Sequence, residues 1–104
     1  MLHSKPFCVL LINPPFEGSY PSLPIGLAML AAVLEQAGIS VQVIDAWAER
    51  LNYAQLGQRI AAATPDLIGV TAMTPTFLQA RRVVKEARKN APDAMIVVGG
   101  PHPS

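Results

Sequence analysis

Four short apolar runs, each closed off by helix- and strand-breaking residues, constrain this chain more than any other feature. They are Phe7–Asn13 (FCVLLIN), Ser40–Asp45 (SVQVID), Leu67–Thr71 (LIGVT) and Met95–Gly99 (MIVVG). They are β-branched and largely apolar, as expected of strands covered on both faces, which is the situation inside a parallel sheet. Between them lie three stretches with helical character: Leu23–Ala37, Tyr53–Ala63 and Pro75–Asn90. Strict alternation of strand and helix predicts an α/β fold, a doubly wound parallel sheet with right-handed crossovers. Alternation alone leaves the order of the strands open.

The predicted helices carry their own punctuation. The first is rich in Ala and Leu, can start at Ser22, and stops at Gly38, which can adopt a left-handed conformation after the last turn. The second places Leu56, Ile60 and Ala63 on one face. The third has Thr74 as a cap and Pro75 at its first position, where a missing N–H costs nothing. Its stripe Ala80, Val84, Ala87 and Ala91 points inward, while Arg81, Arg82, Lys85, Arg88 and Lys89 read as a solvated face.

A chain of 104 residues makes one small domain with a single core. No apolar run approaches the roughly 20 residues a membrane span needs, and Met1–Pro6 does not read as a secretory leader. A net charge of +1, without a concentrated basic patch, argues against a nucleic-acid surface. Cys8 is the only cysteine, so no thiolate-held iron–sulfur cluster can form within the chain. A cytoplasmic location is expected.

In open α/β sheets, ligands bind beyond the carboxyl ends of the strands. Here those ends carry Asn13-Pro14-Pro15-Phe16-Glu17-Gly18, Asp45-Ala46-Trp47, Thr71-Ala72-Met73-Thr74 and Gly99-Gly100-Pro101-His102. The first loop lacks the G-x-G-x-x-G turn that lets backbone approach a pyrophosphate, and no P-loop is present. Asn13 and Thr71 stand where a phosphoacceptor domain would need acids, and two prolines replace the Ser/Thr-rich loop of a flavin phosphate site. What is left is a wide, mostly uncharged rim. Gly99-Gly100 would let a large flat ligand approach the backbone, Thr71 offers a hydroxyl, and Met73 a deformable apolar contact. The same residues also have structural uses. The glycines can serve as a turn, the prolines can end a strand, Asp45 can cap locally, and Trp47 can shield a pocket edge or cover the core.

The phrases Leu11-Ile12-Asn13-Pro14-Pro15, Pro24-Ile25-Gly26-Leu27-Ala28-Met29-Leu30-Ala31-Ala32-Val33-Leu34-Glu35, Ile44-Asp45-Ala46, Ile68-Gly69-Val70-Thr71 and Val97-Val98-Gly99-Gly100-Pro101-His102 follow in an order that resembles the N-terminal domain of the B12-binding radical S-adenosylmethionine superfamily. Anaerobic magnesium-protoporphyrin monomethyl ester cyclases and hopanoid-modifying enzymes are members. The resemblance implies a flavodoxin-like (Rossmann-like) sheet of at least four strands in the order 2-1-3-4, cut before a fifth strand. Residues 1–104 would be a partial cobalamin-binding domain, with a radical SAM barrel following in cis. It also implies Asn13, Pro14, Pro15, Thr71, Met73, Thr74, Gly99, Gly100 and His102 as cofactor-binding residues. Thr71-Ala72-Met73 takes the place of the fold's S-x-L signature, and Gly99-Gly100 that of its G-G. The D-x-H-x-x-G signature is missing, so cobalamin is expected base-off without a protein histidine. The 4Fe-4S cluster and S-adenosylmethionine would belong to the barrel. No catalytic residue and no metal ligand is assigned within this chain, and the parent protein would be a radical SAM methyltransferase or cyclase. Two rival readings are a flavodoxin-like interaction module without cofactor and a corrinoid carrier subunit.

Overall fold

The structure, a computed structural model, describes residues 7–15, 25–71 and 77–99. Its elements run β1 (Cys8–Asn13), α1 (Ile25–Gln36), β2 (Ser40–Asp45), α2 (Tyr53–Ala63), β3 (Leu67–Thr71), α3 (Phe77–Asn90) and β4 (Met95–Gly99). The four strands form one parallel sheet in the order β2-β1-β3-β4. This agrees with the fold class and strand order implied by the sequence, and all four strand positions agree to within a residue. The predicted caps Ser22 and Thr74, and the first residues of the first and third predicted helices, lie outside the described residues.

Side-chain alternation assigns each strand residue to a face. On one face Leu10 and Ile12 of β1, Ile44 of β2, and Ile68 and Val70 of β3 join Leu56 and Ile60 of α2 and Ala80, Val83 and Ala87 of α3 in the main core. On the other, Val9 and Leu11 pack with Val41 and Leu67 beneath Ala31 and Leu34 of α1. Val83, not Val84, is the central apolar residue of α3: it is fully buried while Val84 is only partly so. The two valines are adjacent, and the spacing 80, 83, 87 follows the helical repeat as well as 80, 84, 87 does.

The local chemistry explains where elements begin and end. Gly38 has φ 84°. Its N–H donates to Glu35 O at 3.0 Å and that of Ile39 to Leu34 O at 3.0 Å, a Schellman ending for α1. Asn52 starts α2 with a capping box: its side chain accepts from Gln55 N at 2.7 Å, and its own N–H donates to Gln55 Oε1 at 2.9 Å. Buried Gly57 lets α2 approach α3 closely, since an added Cβ would meet Asn90 Nδ2 at 2.6 Å. Asp66 ties the amino ends of three strands together. Its carboxylate accepts from Cys8 N at 2.8 Å, its N–H donates to Cys8 O at 2.9 Å, and its carbonyl accepts from Met95 N at 3.0 Å.

The two faces are covered unequally. α1 packs over β2 and β1, whereas among the described residues no helix packs on β4 on that side. Met95 and Val97 are 65% and 50% exposed there, and Met29 and Val33 of α1 are 64% and 61% exposed. Among the described residues no helix is long and apolar enough to cross a membrane.

Candidate functional site

The carboxyl edge of the sheet is organised from β1 outward. Asn13, the last residue of β1, donates from Nδ2 to Asp45 Oδ1 at 2.9 Å, and the same oxygen accepts from Ala48 N at 3.0 Å. Asn13 O accepts from Ala46 N at 2.9 Å. Asn13 and Asp45 thus lock the ends of β1 and β2 into one unit, and Asp45 has the local structural use allowed for it from the sequence. Pro14 is fully buried, so its ring braces the edge from within; Pro15 is half-buried and faces a cleft.

At the other end of the lip, Thr71 ends β3 in register with Gly99 of β4. Gly99 is exposed, and among the described residues a Cβ built on it meets nothing within 4 Å. One strand inward and two residues lower, Gly69 is different: its added Cβ would meet Leu11 Cδ2 at 2.9 Å. Leu11 therefore already fills the space above β3, while the lip at Gly99 is open. An open, side-chain-poor strand end is what a broad corrinoid needs in order to lie against backbone. The described lip residues fit that group. Met73, Thr74, Gly100 and His102, also assigned from the sequence, lie outside the described residues.

Across the lip from Gly99, on the side of α2 and α3, is an open cleft of about 1180 Å³. Pro15, Trp47, Tyr53, Leu78, Gln79 and Arg82 are among its lining residues. The Arg82 guanidinium stacks over the Tyr53 ring, 4.0 Å from its centroid. Among the described residues Gln79 Oε1 is buried without a hydrogen-bond partner, a situation that costs about 1–3 kcal/mol. Tyr53, Gln79 and Arg82 were not legible as site residues. Arg82 reads as one more charge on a wet face, and its partner lies on another helix. Among the described residues no group of three His, Cys, Asp or Glu side chains could hold a metal. Cys8 is buried at the far, amino end of the sheet.

A family model described as "B12 binding domain" matches residues 17–104. The chain belongs to the B12-binding domain family. Among curated relatives of this domain are an uncharacterized methyltransferase of Pyrococcus horikoshii and the anaerobic magnesium-protoporphyrin IX monomethyl ester cyclase of Rubrivivax gelatinosus. The first is 33% identical over 100 residues, covering 90% of this chain and 22% of the relative. The second is 33% identical over 102 residues, covering 90% and 18%. This B12-binding domain thus spans about a fifth of the length of these relatives. Its backbone is also similar to that of TsrM, a radical S-adenosylmethionine methyltransferase from Kitasatospora setae whose structure contains cobalamin and a [4Fe-4S] cluster. The TM-score is 0.79 at 30% identity, covering 92% of this chain and 18% of that one. The superfamily resemblance carried by the sequence phrases is therefore confirmed at the level of family and fold.

Proposed function

We propose that this domain holds cobalamin along the carboxyl edge of its sheet and presents it to a radical SAM domain in the same, longer polypeptide. The observation that carries the proposal is the open lip at Gly99, beside Thr71, in a member of the B12-binding domain family. Asn13, Pro15, Thr71 and Gly99, with Met73, Thr74, Gly100 and His102 from the adjoining loops, would touch the cofactor, and Pro14 would support them from beneath. The loop Asn13-Pro14-Pro15-Phe16-Glu17-Gly18 has no histidine, so in this reading the cobalamin is base-off with no protein histidine on cobalt. Bound cobalamin supplies a metal centre able to carry an alkyl group, and the chain's own residues bind and orient it. The 4Fe-4S cluster, S-adenosylmethionine and the reacting substrate belong to the other domain. The lengths of the relatives, about five times that of this chain, support that division. By itself the chain is expected to be inactive, because no acid, base or nucleophile constellation stands at the lip among the described residues.

Titration with hydroxocobalamin, read by absorbance and by thermal unfolding, tests the proposal. Binding should change the corrinoid spectrum and raise the midpoint. Gly99→Val should weaken it by roughly tenfold or more, since branched methyl groups would occupy the lip. A strand end with open space tolerates valine, so that variant should fold. A folded domain that leaves the spectrum and midpoint unchanged would overturn the proposal, as would Gly99→Val binding like wild type.

A further inference from the structure

The loop after β2 closes on itself in a single turn. Leu51 N donates to Ala46 O at 3.0 Å and Arg50 N to Trp47 O at 3.3 Å. The same pairing ends α1, where the left-handed position is Gly38. Here that position holds Arg50, with φ 55°. A left-handed backbone costs stability in a residue with a Cβ, and glycine would remove the cost. Thr64, which ends α2 with φ 44°, returns its hydroxyl to Ala63 O at 2.8 Å. Arg50 has no such local bond among the described residues, and no carboxylate among them pairs with it. The acid beside it, Glu49, is engaged by Arg59 at 2.9 Å.

Arg50 lines the open cleft together with Arg82 of α3, and the described lining residues include no aspartate or glutamate. Arg82 lays the face of its guanidinium on Tyr53, which leaves the in-plane N–H groups for an acceptor. Trp47, the only tryptophan of the chain, adds an aromatic wall from the same turn as Arg50. Two guanidinium groups without a carboxylate suit an anion. A phosphate monoester, close to a dianion at neutral pH, balances both, where a carboxylate balances one. An indole at the edge of a cleft suits a flat aromatic group laid against it. The volume, about 1180 Å³, has room for a whole small molecule. We infer that the cleft binds an aromatic phosphate monoester, its ring against Trp47 and its phosphate on Arg50 and Arg82. That contact accounts for an arginine where the backbone favours glycine. The site is separate from the lip at Gly99 and does not depend on the cobalamin reading.

Adenosine 5′-monophosphate, adenosine and ribose 5-phosphate serve as probes, titrated into the full 104-residue chain. Fluorescence of the single tryptophan reports contact in the cleft, and calorimetry gives the affinities. The monophosphate should quench Trp47 and bind roughly tenfold tighter than adenosine, the worth of a charge-assisted contact. It should also bind roughly tenfold tighter than ribose 5-phosphate, which lacks the ring. Arg50→Gly should weaken the monophosphate roughly tenfold and leave adenosine within about twofold. The same variant should unfold about 3 °C higher, since its left-handed turn no longer carries a Cβ. Arg82→Gln should weaken the monophosphate by a similar factor. Equal affinity of wild type for the monophosphate and either partial probe overturns the inference, as does wild-type monophosphate binding by folded Arg50→Gly. A lower unfolding midpoint for Arg50→Gly also overturns it, because Arg50 would then serve the fold. Saturating hydroxocobalamin should leave monophosphate binding in place. Loss of that binding would assign the cleft to the corrinoid and overturn a separate site.

Discussion

At the scale of the residue, the carboxyl edge is held by a side chain that contributes no chemistry of its own. Asp45 Oδ1 takes hydrogen bonds from Asn13 Nδ2 and Ala48 N, so the ends of β1 and β2 cannot shift independently. Asp45→Ala should therefore cost about 1–2 kcal/mol of stability, since it leaves two donors at a half-buried edge without their acceptor. Asp45→Asn, which keeps an oxygen at the same place, should recover most of that loss in urea unfolding. A variant Asp45→Ala as stable as wild type would show that water replaces the carboxylate without loss. The residues of the lip were visible in the sequence because small and breaker residues after a strand mark its end: Asn13, Thr71 and Gly99 all end strands. What stayed hidden was the orientation of Pro14. A proline after a strand reads as a loop residue, and only the packing of the core shows that its ring is buried.

At the scale of the element, strands and helices differ in how clearly the sequence marks them. The strands are short apolar runs whose residues must all be covered, so their limits coincide with the limits of hydrophobicity. α3 has one apolar stripe beside a charged face, but the adjacent Val83 and Val84 leave its rotation uncertain by one residue. Only contact with the sheet resolves the choice. α1 is apolar nearly all round, and sequence alone does not say which side meets Val9 and Leu11. α2 has the weakest apolar pattern of the two helices on its face, and its start is defined instead by Asn52 and Gln55. Removing that cap with Asn52→Ala should lower stability by about 1 kcal/mol. Hydrogen exchange should quicken in the first turn of α2 and remain unchanged at its Ile60 end. Uniform quickening along the helix would mean that the cap is coupled to the whole α2–α3 pair. Gly57 was not recognised as a packing residue. A glycine inside a helix reads only as a weak point, and its use emerges once Glu86 and Asn90 of α3 are seen against it.

At the scale of the whole molecule, two of the described helices cover the main core and one covers the opposite face. Met29, Val33 and Met95 are exposed apolar side chains on that second side, and exposed apolar surface promotes association. The triple substitution Met29→Gln, Val33→Lys, Met95→Lys should change stability by less than about 0.5 kcal/mol per site. It should also lower the fluorescence of a bound hydrophobic dye and the tendency to self-associate in sedimentation. A large loss of stability would show that these side chains are covered within the folded chain. The cleft with Tyr53, Gln79 and Arg82 belongs to this scale too. Its members come from a loop and two helices separated by many residues, so no local spacing in the sequence could announce it.

Leu11 leaning over Gly69 makes β3 a watershed. On the β1 side of that line Val9 and Leu11 pack beneath α1, while on the β4 side Met95 and Val97 are exposed. Any side chain larger than hydrogen at position 69 would have to push Leu11 from its place beneath α1.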